Sequence, residues 1–515
     1  MSIFCEKQRL SSTIIISIII ILEIIIILSI IIYIDYFSGG ISVMQKFVNR
    51  KNELACLESQ YNSTESSFVV LYGRRRVGKT ALIVEFLKTH SNSIYFLATE
   101  ESEPQNLNYF KSQVADFTGN ELLKTATVDW QTVFKALIDY KTETKKVIAI
   151  DEFQYLGISN SAFPSILQKI WDTILKDANI MLIICGSLVS LMKSQTLDYS
   201  SPLYGRRTAQ INLKPIPYKY YHEFYDTKPD DNLLPFYAVT GGVPKYIEMF
   251  QGYVKEDFYK AIEDNILNEH SFLFEEPYFL LQKEVTEIGS YFSLIKAISM
   301  GNHKLSDIAA NLELKQTGLT KYLKVLMDLN LIERDVPITE KYPEKSKSGL
   351  YRITDRFITF WFKFVYPFRS FLERGEKEYV LEQIKKGFVQ NYLSFVYEEI
   401  CREKMWDLSS KGIWDFRFER VGRYWGAKIG EIDIVVIGEK SNAIILGECK
   451  YSSSPKGLSV LHELQKKKDA MQKLTNANDV RYIIFGASGF TQGLIEEASK
   501  DNTITLIESE FPSYL

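Results

Sequence analysis

Two groups of residues in this sequence have the types and spacing needed for chemistry on phosphate groups. The first is the segment Gly-Arg-Arg-Arg-Val-Gly-Lys-Thr, which fits the phosphate-loop pattern G-x-x-x-x-G-K-[ST]. Its glycines let backbone N–H groups surround an anion, Lys79 would reach the β- and γ-phosphates, and the Thr80 hydroxyl would bind Mg²⁺. The predicted nucleotide contacts of this loop are Gly73, Arg74, Arg75, Arg76, Val77, Gly78, Lys79 and Thr80.

An apolar strand that ends in two acidic residues follows about seventy residues after this loop. Asp151 would hold Mg²⁺, usually through water, and Glu152 would orient or activate the attacking water, because phosphoryl transfer depends on positioning and charge neutralisation. This order of elements predicts hydrolysis of a nucleoside triphosphate.

Three further residues fit the same chemistry but allow a plainer explanation. Ser187 follows the apolar run Ile180–Cys185 and could sense the γ-phosphate or the attacking water; it could equally be a turn or N-cap serine. Arg206 and Arg207 could be arginine fingers, since a guanidinium is always charged and offers several donors to phosphate. They could equally be surface arginines.

The second group of residues lies near the C-terminus, on two neighbouring apolar runs. Asp433 lies on the first run, and Glu448 and Lys450 end the second. Residues i and i+2 of a strand share a face, so Glu448 and Lys450 point the same way and can meet Asp433. Two carboxylates would bind Mg²⁺ or Mn²⁺, and the lysine would position or help activate a water against a phosphodiester.

The E-x-K spacing alone is weak evidence, because it also occurs at Glu143–Lys145 and Glu313–Lys315. Its position after an acid-bearing strand favours a metal-dependent cleavage site, to which Glu398 could add a fourth polar group. An inactive relic of such a site, or an ordinary surface ion pair, would show the same residues.

The elements that would position these residues follow from the hydrophobic pattern. Alternating strand and helix patterns between residues 47 and 250 predict a parallel sheet flanked by helices, an α/β domain. Residues 391–515 predict a second α/β unit. The predicted strands are Phe68–Tyr72, Ser93–Leu97, Val147–Ile150, Ile180–Cys185, Gln210–Leu213, Ile432–Ile437, Ala443–Cys449, Arg481–Phe485 and Thr503–Ile507.

Between the two α/β units, residues 291–356 predict a winged helix-turn-helix. Three short helices precede two strand-like runs around a polar loop. The third helix carries side chains that could face a DNA groove, with the lysines on phosphates: Thr317, Thr320, Lys321 and Lys324. Winged helices also serve as protein-docking or structural modules, and this one is only mildly basic.

Composition and cysteine spacing limit the kinds of site that the chain can carry. The chain has 515 residues, 46% of them apolar and 24% charged, with a formal net charge of −3, so any surface that binds nucleic acid must be local. The five cysteines are scattered without a C-x-x-C pair. This argues against a zinc site or a disulfide framework and for a reducing compartment.

The N-terminus has a composition of its own. Ile14–Ile34 contains fifteen isoleucines, and its length suits a transmembrane helix in spite of Glu23. This predicts cytoplasmic domains anchored to the cell membrane by one helix. A secretory signal fits less well, because the run is too long and no small-residue cleavage site follows. Alternatively, residues 1–43 are an over-extended gene start before Met44.

From residue 44 onward the chain resembles the archaeal P-loop ATPases of the AAA+/STAND type that carry a DUF234 C-terminal domain. The resemblance implies ATP as the nucleotide, with Arg50 near the adenine edge and Pro244 in a helical lid over the nucleotide. It also implies a PD-(D/E)XK nuclease-like core. The motifs that carry it are Phe47–Arg50, Glu53-Leu54, Gly73–Thr80, Asp151–Gln154, Gly186-Ser187, Tyr204–Arg207, Gly241–Pro244 and Tyr246.

Together these observations predict an ATP-hydrolysing switch coupled to a DNA-binding, nuclease-like module. The alternatives are a regulatory ATPase whose nuclease-like domain only binds DNA or protein, and a membrane-tethered ATPase. A homo-oligomer is expected if the arginine fingers act between subunits. The predicted segments are a P-loop domain at 44–250 with a lid from about 236, a helical lid or connector at 251–290, a winged helix at 291–356, a helical connector at 357–390 and a nuclease-like domain at 391–515.

Overall fold

The first group of residues is carried by a five-stranded parallel sheet. In this computed structural model, residues 46–225, 233–439 and 442–508 are described. The strand order is β2-β3-β4-β1-β5, and every pairing is parallel. The central strands are buried throughout, as expected for a parallel sheet covered on both faces. The strands are β1 Ser67–Tyr72, β2 Ser93–Leu97, β3 Lys146–Asp151, β4 Ile180–Gly186 and β5 Ala209–Asn212. The predicted α/β class and parallel sheet are confirmed.

Helices on both faces of this sheet connect its strands. Two of them continue into π-helical turns, at Trp171–Leu175 and Lys193–Leu197. The α-helices are α1 Lys51–Tyr61, α2 Lys79–Leu87, α3 Glu103–Thr118, α4 Glu121–Thr125, α5 Trp130–Asp139, α6 Gln154–Ser159, α7 Phe163–Ile170 and α8 Val189–Met192.

A helical region follows the sheet, in the position predicted for the lid. Gly241 and Gly242 have φ of 61° and 70° and turn the chain sharply between two of its helices. A Cβ atom on Gly242 would lie 2.0 Å from the carbonyl oxygen of Ile216, so only glycine fits there. After a 3₁₀ segment at Tyr218–Tyr225, the helices are α9 Leu234–Thr240, α10 Pro244–Phe250, α11 Phe258–Asn265 and α12 Glu276–Gln282, with a 3₁₀ turn at Gln251–Tyr253.

Three helices and a two-stranded antiparallel hairpin come next, where the winged helix is predicted. Leu319, Leu323 and Leu326 form the buried face of the third helix. The elements are α13 Ile288–Ser299, α14 Leu305–Asn311, α15 Gln316–Asp328, β6 Ile332–Asp335 and β7 Leu350–Ile353, with a 3₁₀ turn at Pro343–Lys345. This order supports the winged-helix prediction, which stays a prediction.

An aromatic-rich helical connector joins this hairpin to the C-terminal unit. Trp361 is fully buried, and its indole N–H donates to the carbonyl of Phe274 at 2.7 Å. The connector comprises α16 Arg356–Phe360, a π-helical turn Trp361–Val365, a 3₁₀ turn Tyr366–Phe368, α17 Arg369–Leu372, α18 Lys377–Phe388 and a second π-helical turn Val389–Leu393.

The C-terminal unit is built on a mixed five-stranded sheet of order β12-β11-β10-β9-β8. The pairs β8·β9 and β9·β10 are antiparallel, and β10·β11 and β11·β12 are parallel. The elements are α19 Ser394–Ser410, β8 Phe418–Gly426, β9 Gly430–Gly438, β10 Ala443–Lys450, α20 Leu458–Lys466, α21 Lys468–Thr475, β11 Asp479–Gly486, α22 Gln492–Lys500 and β12 Ile504–Glu508. Four of its strands lie where predicted, and β8 was missed.

The long loop of the β6–β7 hairpin docks on β8. The Ile338 N–H donates to the Arg423 carbonyl at 3.0 Å, and Arg420 donates to the Ile338 carbonyl at 2.8 Å. The Trp425 indole donates to the Ser348 carbonyl at 3.1 Å. The loop therefore contacts the C-terminal sheet.

The prediction of a membrane anchor is contradicted by the helices of the described residues. Across them, no helix has both the length and the apolar character needed to cross a membrane. The segment on which the prediction rested, residues 14–34, lies outside the described residues. Both the anchored localisation and the membrane as a partner are therefore withdrawn.

Candidate functional site

The phosphate loop lies between the end of β1 and the start of α2. Gly73, Arg76 and Gly78 have φ of 155°, 71° and 93°, so the loop needs left-handed backbone at several positions. The Lys79 ammonium donates to the Arg74 carbonyl at 3.0 Å, inside the curve of the loop. Burial lowers the pKa of Lys79, and the nearby carboxylates work against that effect. This arrangement fits a phosphate that Lys79 would neutralise.

Arg50 supports the loop from outside. Its guanidinium is buried and donates to the Val77 carbonyl at 2.9 Å, and it also pairs with Glu53 at 3.2 Å. The structure thus places Arg50 directly behind the loop backbone. Its place near the adenine edge stays a prediction.

The predicted Mg²⁺ ligands lie next to each other. The Thr80 hydroxyl donates to Asp151 Oδ2 at 2.7 Å, across the gap between α2 and β3. Tyr95, which sequence reasoning missed, donates to the same oxygen at 2.9 Å. Burial and the charge of Asp151 raise the pKa of Tyr95, which keeps it a donor. A hydroxyl and a carboxylate side by side are hard oxygen ligands of the kind that Mg²⁺ prefers.

Glu152 is held in place by two neighbours. Its φ is 52°, an unusual value for a residue with a side chain. Ser187 donates to Glu152 Oε2 at 2.7 Å, and the Gln154 amide donates to the same oxygen. The structure therefore brings Ser187 to Glu152. Gln154 belongs to the motif Asp151–Gln154 of the sequence analysis, which gave it no role of its own.

Arg206 and Arg207 are not brought to the phosphate loop of their own chain. They directly precede β5, and the Thr208 N–H donates to the carbonyl of Phe68 at the start of β1. Because β1 and β5 are parallel, the backbone of these arginines lies at the end of the sheet opposite the loop, about 20 Å away for a strand of six residues. Arg206 pairs there with Asp172 at 3.1 Å. The pairing with Asp172 keeps Arg206 at this far end of the sheet. Burial raises the pKa of Tyr72 and the charge of Arg207 lowers it, so the Arg207 side chain reaches back toward the last residue of β1.

The three arginines of the loop point toward other parts of the chain. Arg74 forms an ion pair with Asp355, and Arg76 forms one with Glu276. Arg75 donates to the Tyr155 hydroxyl at 3.0 Å. Asp355 and Glu276 were both missed, although an aspartate just before an apolar helical segment is a usual N-cap signal, and Asp355 does accept from the Ile358 N–H at 2.9 Å.

The lid lies against the loop. Pro244 Cγ is 3.8 Å from the Cβ position of Gly78, which places the predicted lid residue beside the loop. Tyr246 is fully buried, and its hydroxyl donates to Glu276 at 2.7 Å. The lid and the loop arginine Arg76 thus share one carboxylate.

A further acid faces the loop from the segment after α12. Burial raises the pKa of Glu284 to about 7, and nearby N–H groups of Val189 and Ser190 and the cations of Arg75 and Lys79 offset this only in part. Sequence reasoning missed Glu284, because nothing in the local pattern distinguishes it from a surface acid.

The second group of predicted residues is also brought together. The β9–β10 register pairs Ile434 with Gly447, so Asp433 and Glu448 occupy adjacent positions. The Cys449 N–H donates to Asp433 Oδ2 at 2.9 Å, and Lys450 Nζ lies 2.5 Å from Glu448 Oε1. All three residues therefore face one site.

The carboxylates of this second site repel one another. Burial and the charge of Asp433 raise the pKa of Glu398 to about 8, and burial and Glu448 raise the pKa of Asp433 to about 6. Within the described ranges, no three His, Cys, Asp or Glu side chains converge closely enough to hold a metal ion by themselves. Mg²⁺ is commonly bound by one or two carboxylates with waters and substrate phosphates, and Asp433 with Glu448 would suit that mode.

The predicted DNA-facing side chains lie on the free face of α15. Thr317, Thr320, Lys321 and Lys324 are all exposed. The far end of the same helix is fixed to the sheet domain, since Lys193 donates to the Asp328 carbonyl at 3.0 Å.

Comparison with known proteins decides the family. A profile for an ATPase domain predominantly from Archaea matches residues 47–250, and the DUF234 profile, described as "Archaea bacterial proteins of unknown function", matches residues 361–469. The protein MJECL04 of Methanocaldococcus jannaschii is 36% identical over 405 residues, which is 79% of this chain and 87% of that protein. The chain belongs to this archaeal ATPase family. The predicted presence of a P-loop ATPase domain and a DUF234 domain is confirmed, while the DUF234 match begins within the predicted helical connector.

Solved structures resemble this archaeal ATPase only distantly. The Walker-type ATPase PABY2304 of Pyrococcus abyssi is 22% identical with a TM-score of 0.49, covering 62% of this chain and 96% of that one. The Aeropyrum pernix ORC2 protein, solved in ADPNP–ADP complexes, is 13% identical with a TM-score of 0.39, covering 66% and 96%. Likeness at this level adds no argument about function.

Proposed function

We propose that this archaeal ATPase hydrolyses ATP and uses its nucleotide state to control a metal-dependent nuclease-like module. The proposal of ATP hydrolysis rests on two contacts at one end of the parallel sheet, Thr80–Asp151 and Ser187–Glu152. They put a hard-oxygen pair and a positioned carboxylate beside the phosphate loop.

Each side chain has a role in hydrolysis. Lys79 would neutralise the β- and γ-phosphates, and Thr80 and Asp151 would hold Mg²⁺, which would supply further charge neutralisation. Glu152 accepts a proton from the attacking water, while Ser187 fixes the carboxylate that does so. The γ-phosphorus–oxygen bond to ADP breaks as the bond to water oxygen forms, releasing ADP and phosphate.

The test of hydrolysis uses two variants of the full chain. Lys79→Ala should abolish ATP binding and turnover, and Glu152→Gln should retain ATP binding but lose turnover. Arg374→Met is the control, because the exposed Arg374 side chain pairs with exposed Glu376 and lies over the Phe371 ring, with no hydrogen bond or ion pair to the phosphate loop among the described residues. Full turnover in either of the first two variants would reject the assignment.

The second half of the proposal is supported by Asp433, Glu448 and Lys450 facing one site. The two carboxylates would hold Mg²⁺ or Mn²⁺, and Lys450 would orient a water or stabilise charge on the phosphodiester. A cleavage assay with Mn²⁺ on single- and double-stranded DNA tests this, with Asp433→Ala and Lys450→Ala as loss variants. Cutting that persists in both variants would show that it comes from elsewhere.

A second candidate function is favoured by the docking of the hairpin loop on β8. That contact makes the predicted winged helix part of an intramolecular interface, as in a regulatory ATPase whose C-terminal module only binds DNA or protein. DNA binding would then rest on the free face of α15. Binding of DNA that falls with Lys321→Ala and Lys324→Ala, without cleavage, would favour this reading.

Oligomerisation is part of the proposal. The backbone of Arg206 and Arg207 lies at the end of the sheet away from their own phosphate loop, so we assign an arginine finger to a neighbouring subunit. Turnover per chain should then rise with protein concentration, and an Arg207→Ala and Lys79→Ala mixture should complement in part. Turnover independent of concentration would exclude the finger.

A further inference from the structure

Two consecutive residues, Asp355 and Arg356, contact different parts of the chain: the first contacts the phosphate loop and the second contacts the C-terminal unit. Asp355 forms an ion pair with Arg74 of the phosphate loop, and both are buried. The next residue, Arg356, donates to Glu399 Oε2 on α19 at 2.6 Å. One peptide unit therefore separates a contact to the nucleotide loop from a contact to the C-terminal unit.

The helix that Arg356 holds also carries groups of the second site. Glu398 precedes Glu399 and interacts electrostatically with Asp433. Arg402, about one turn further on, donates to the Asp433 carbonyl at 3.1 Å. A movement of α19 would therefore change the surroundings of Asp433 directly.

The lid contacts the same dipeptide. The Arg356 guanidinium lies 4.9 Å from the ring of Tyr237 in α9, and a Cβ atom on Gly241 would lie 3.3 Å from Arg356 Cβ. The Tyr392 hydroxyl, in the connector turn that leads into α19, lies 2.6 Å from the Arg356 carbonyl oxygen and 2.7 Å from the Ala238 carbonyl oxygen, and its one hydrogen can be donated to either. The loop, the lid and the C-terminal unit all meet at this point.

Space for a shift exists on two sides of the segment. Cavities of about 440 Å³ and 490 Å³ are both lined by Thr354 and Arg356. Densely packed interiors resist displacement, whereas an element beside open volume can adopt a second position at lower cost.

From these contacts we infer that Asp355 and Arg356 are positioning residues that couple the phosphate loop to the carboxylates of the C-terminal site. Phosphate in the loop changes the position of Arg74, Asp355 follows its ion partner, and Arg356 then shifts α19 through Glu399. The inference rests on the proposed function in requiring that the loop bind ATP. It does not require that the C-terminal site cut DNA.

The experiment follows backbone amide hydrogen exchange in the full chain with and without Mg²⁺ and adenosine 5′-(γ-thio)triphosphate. In the wild type, nucleotide should slow exchange in residues 73–80 and change it about fivefold in residues 394–410, the lower end of ordinary coupling between sites. Arg356→Met should keep the response at 73–80 and lose the response at 394–410.

A second variant keeps the test decisive if Arg356→Met fails to fold. Glu399→Gln removes the same ion pair from its half-exposed end and should give the same separation of the two responses. Arg374→Met, whose pair with Glu376 is exposed on the same connector, should respond like the wild type.

The outcomes separate the two hypotheses. A wild-type response at 394–410 that survives in both Arg356→Met and Glu399→Gln would overturn the coupling but leave the ATPase intact. No protection of 73–80 in the wild type would overturn both. Loss of the distant response in the variants, combined with no DNA cleavage, would support the coupling and reject the nuclease.

Discussion

The Ser187 hydroxyl lies 2.7 Å from Glu152 Oε2, so a residue at the end of β4 fixes the carboxylate that follows β3. This contact joins two central strands of the sheet through the group that would activate water. Ser187, the small polar residue after an apolar strand, is therefore part of the candidate site and not only a turn residue.

Ser187→Ala should therefore slow turnover more than it weakens ATP binding. Loss of a residue that orients a catalytic group typically costs about 10–100-fold in activity. We expect a fall of that size in kcat with KM for ATP within about threefold. Ser194→Ala, an exposed serine in the same region, is the control. An unchanged kcat in Ser187→Ala would show that Glu152 does not need this partner.

Tyr95→Phe should raise the Mg²⁺ concentration needed for turnover. The hydroxyl donates to Asp151 Oδ2 at 2.9 Å, and loss of such an outer partner commonly costs about tenfold in metal affinity. A Mg²⁺ titration of the ATPase rate measures this. Tyr140→Phe, at a half-exposed tyrosine, should leave the titration unchanged. The same midpoint in both variants would contradict the predicted role.

The pH dependence of ATP binding should follow Glu284, whose pKa burial raises to about 7. Below that pH the carboxyl is neutral; above it a negative charge stands near Arg75 and Lys79 and opposes the triphosphate. ATP affinity should fall by up to about tenfold between pH 6 and pH 8, as a one-unit pKa shift on binding would give. Equilibrium binding of ATP at several pH values measures it.

The variant Glu284→Gln should bind ATP with little dependence on pH in this range, while Glu256→Gln, at an exposed acid, should behave like the wild type. The free energy of unfolding should also fall as pH rises through this range. A carboxyl with a raised pKa stabilises the fold fully below its unfolded pKa of about 4.3, and this contribution is lost as pH rises through 7. Identical pH profiles for Glu284→Gln and the wild type would refute the assignment.

Gly242→Ala should destabilise the lid. The residue has φ of 70°, and its Cβ would lie 2.0 Å from the Ile216 carbonyl oxygen, where backbone must move to make room. We expect a loss of about 2–4 kcal/mol in the free energy of unfolding. Gly252→Ala, with no atom within 4 Å of its added Cβ, should change it by less than about 0.5 kcal/mol. Chemical denaturation that gives equal values for both would contradict this.

The parallel sheet and its site could be predicted because both depend on local sequence. A buried parallel strand is a continuous apolar run, so β1 and β4 were located to within one residue at each end. The phosphate loop is a contiguous motif with a fixed geometry. For the same reason Asp151 and Glu152 were placed correctly from one strand and its end.

Other features could not be predicted because they depend on distant partners or irregular backbone. β8 contains Glu419, Arg420 and Arg423, and two register irregularities break the alternation that would have revealed it. The pair Arg74–Asp355 joins residues far apart in the chain, and neither residue is unusual by itself. Glu284 likewise acquires its raised pKa only from its surroundings in the fold.

The docking of the hairpin loop on β8 has a consequence for dissecting the chain. β8 is the edge strand of its sheet. The hairpin loop covers part of this edge, because Ile338 and Ser348 of the loop are hydrogen-bonded to β8. A fragment beginning near residue 391 would keep every strand of the sheet but lose this cover. An uncovered edge strand pairs readily with other chains, so such a fragment should self-associate although its sequence is intact.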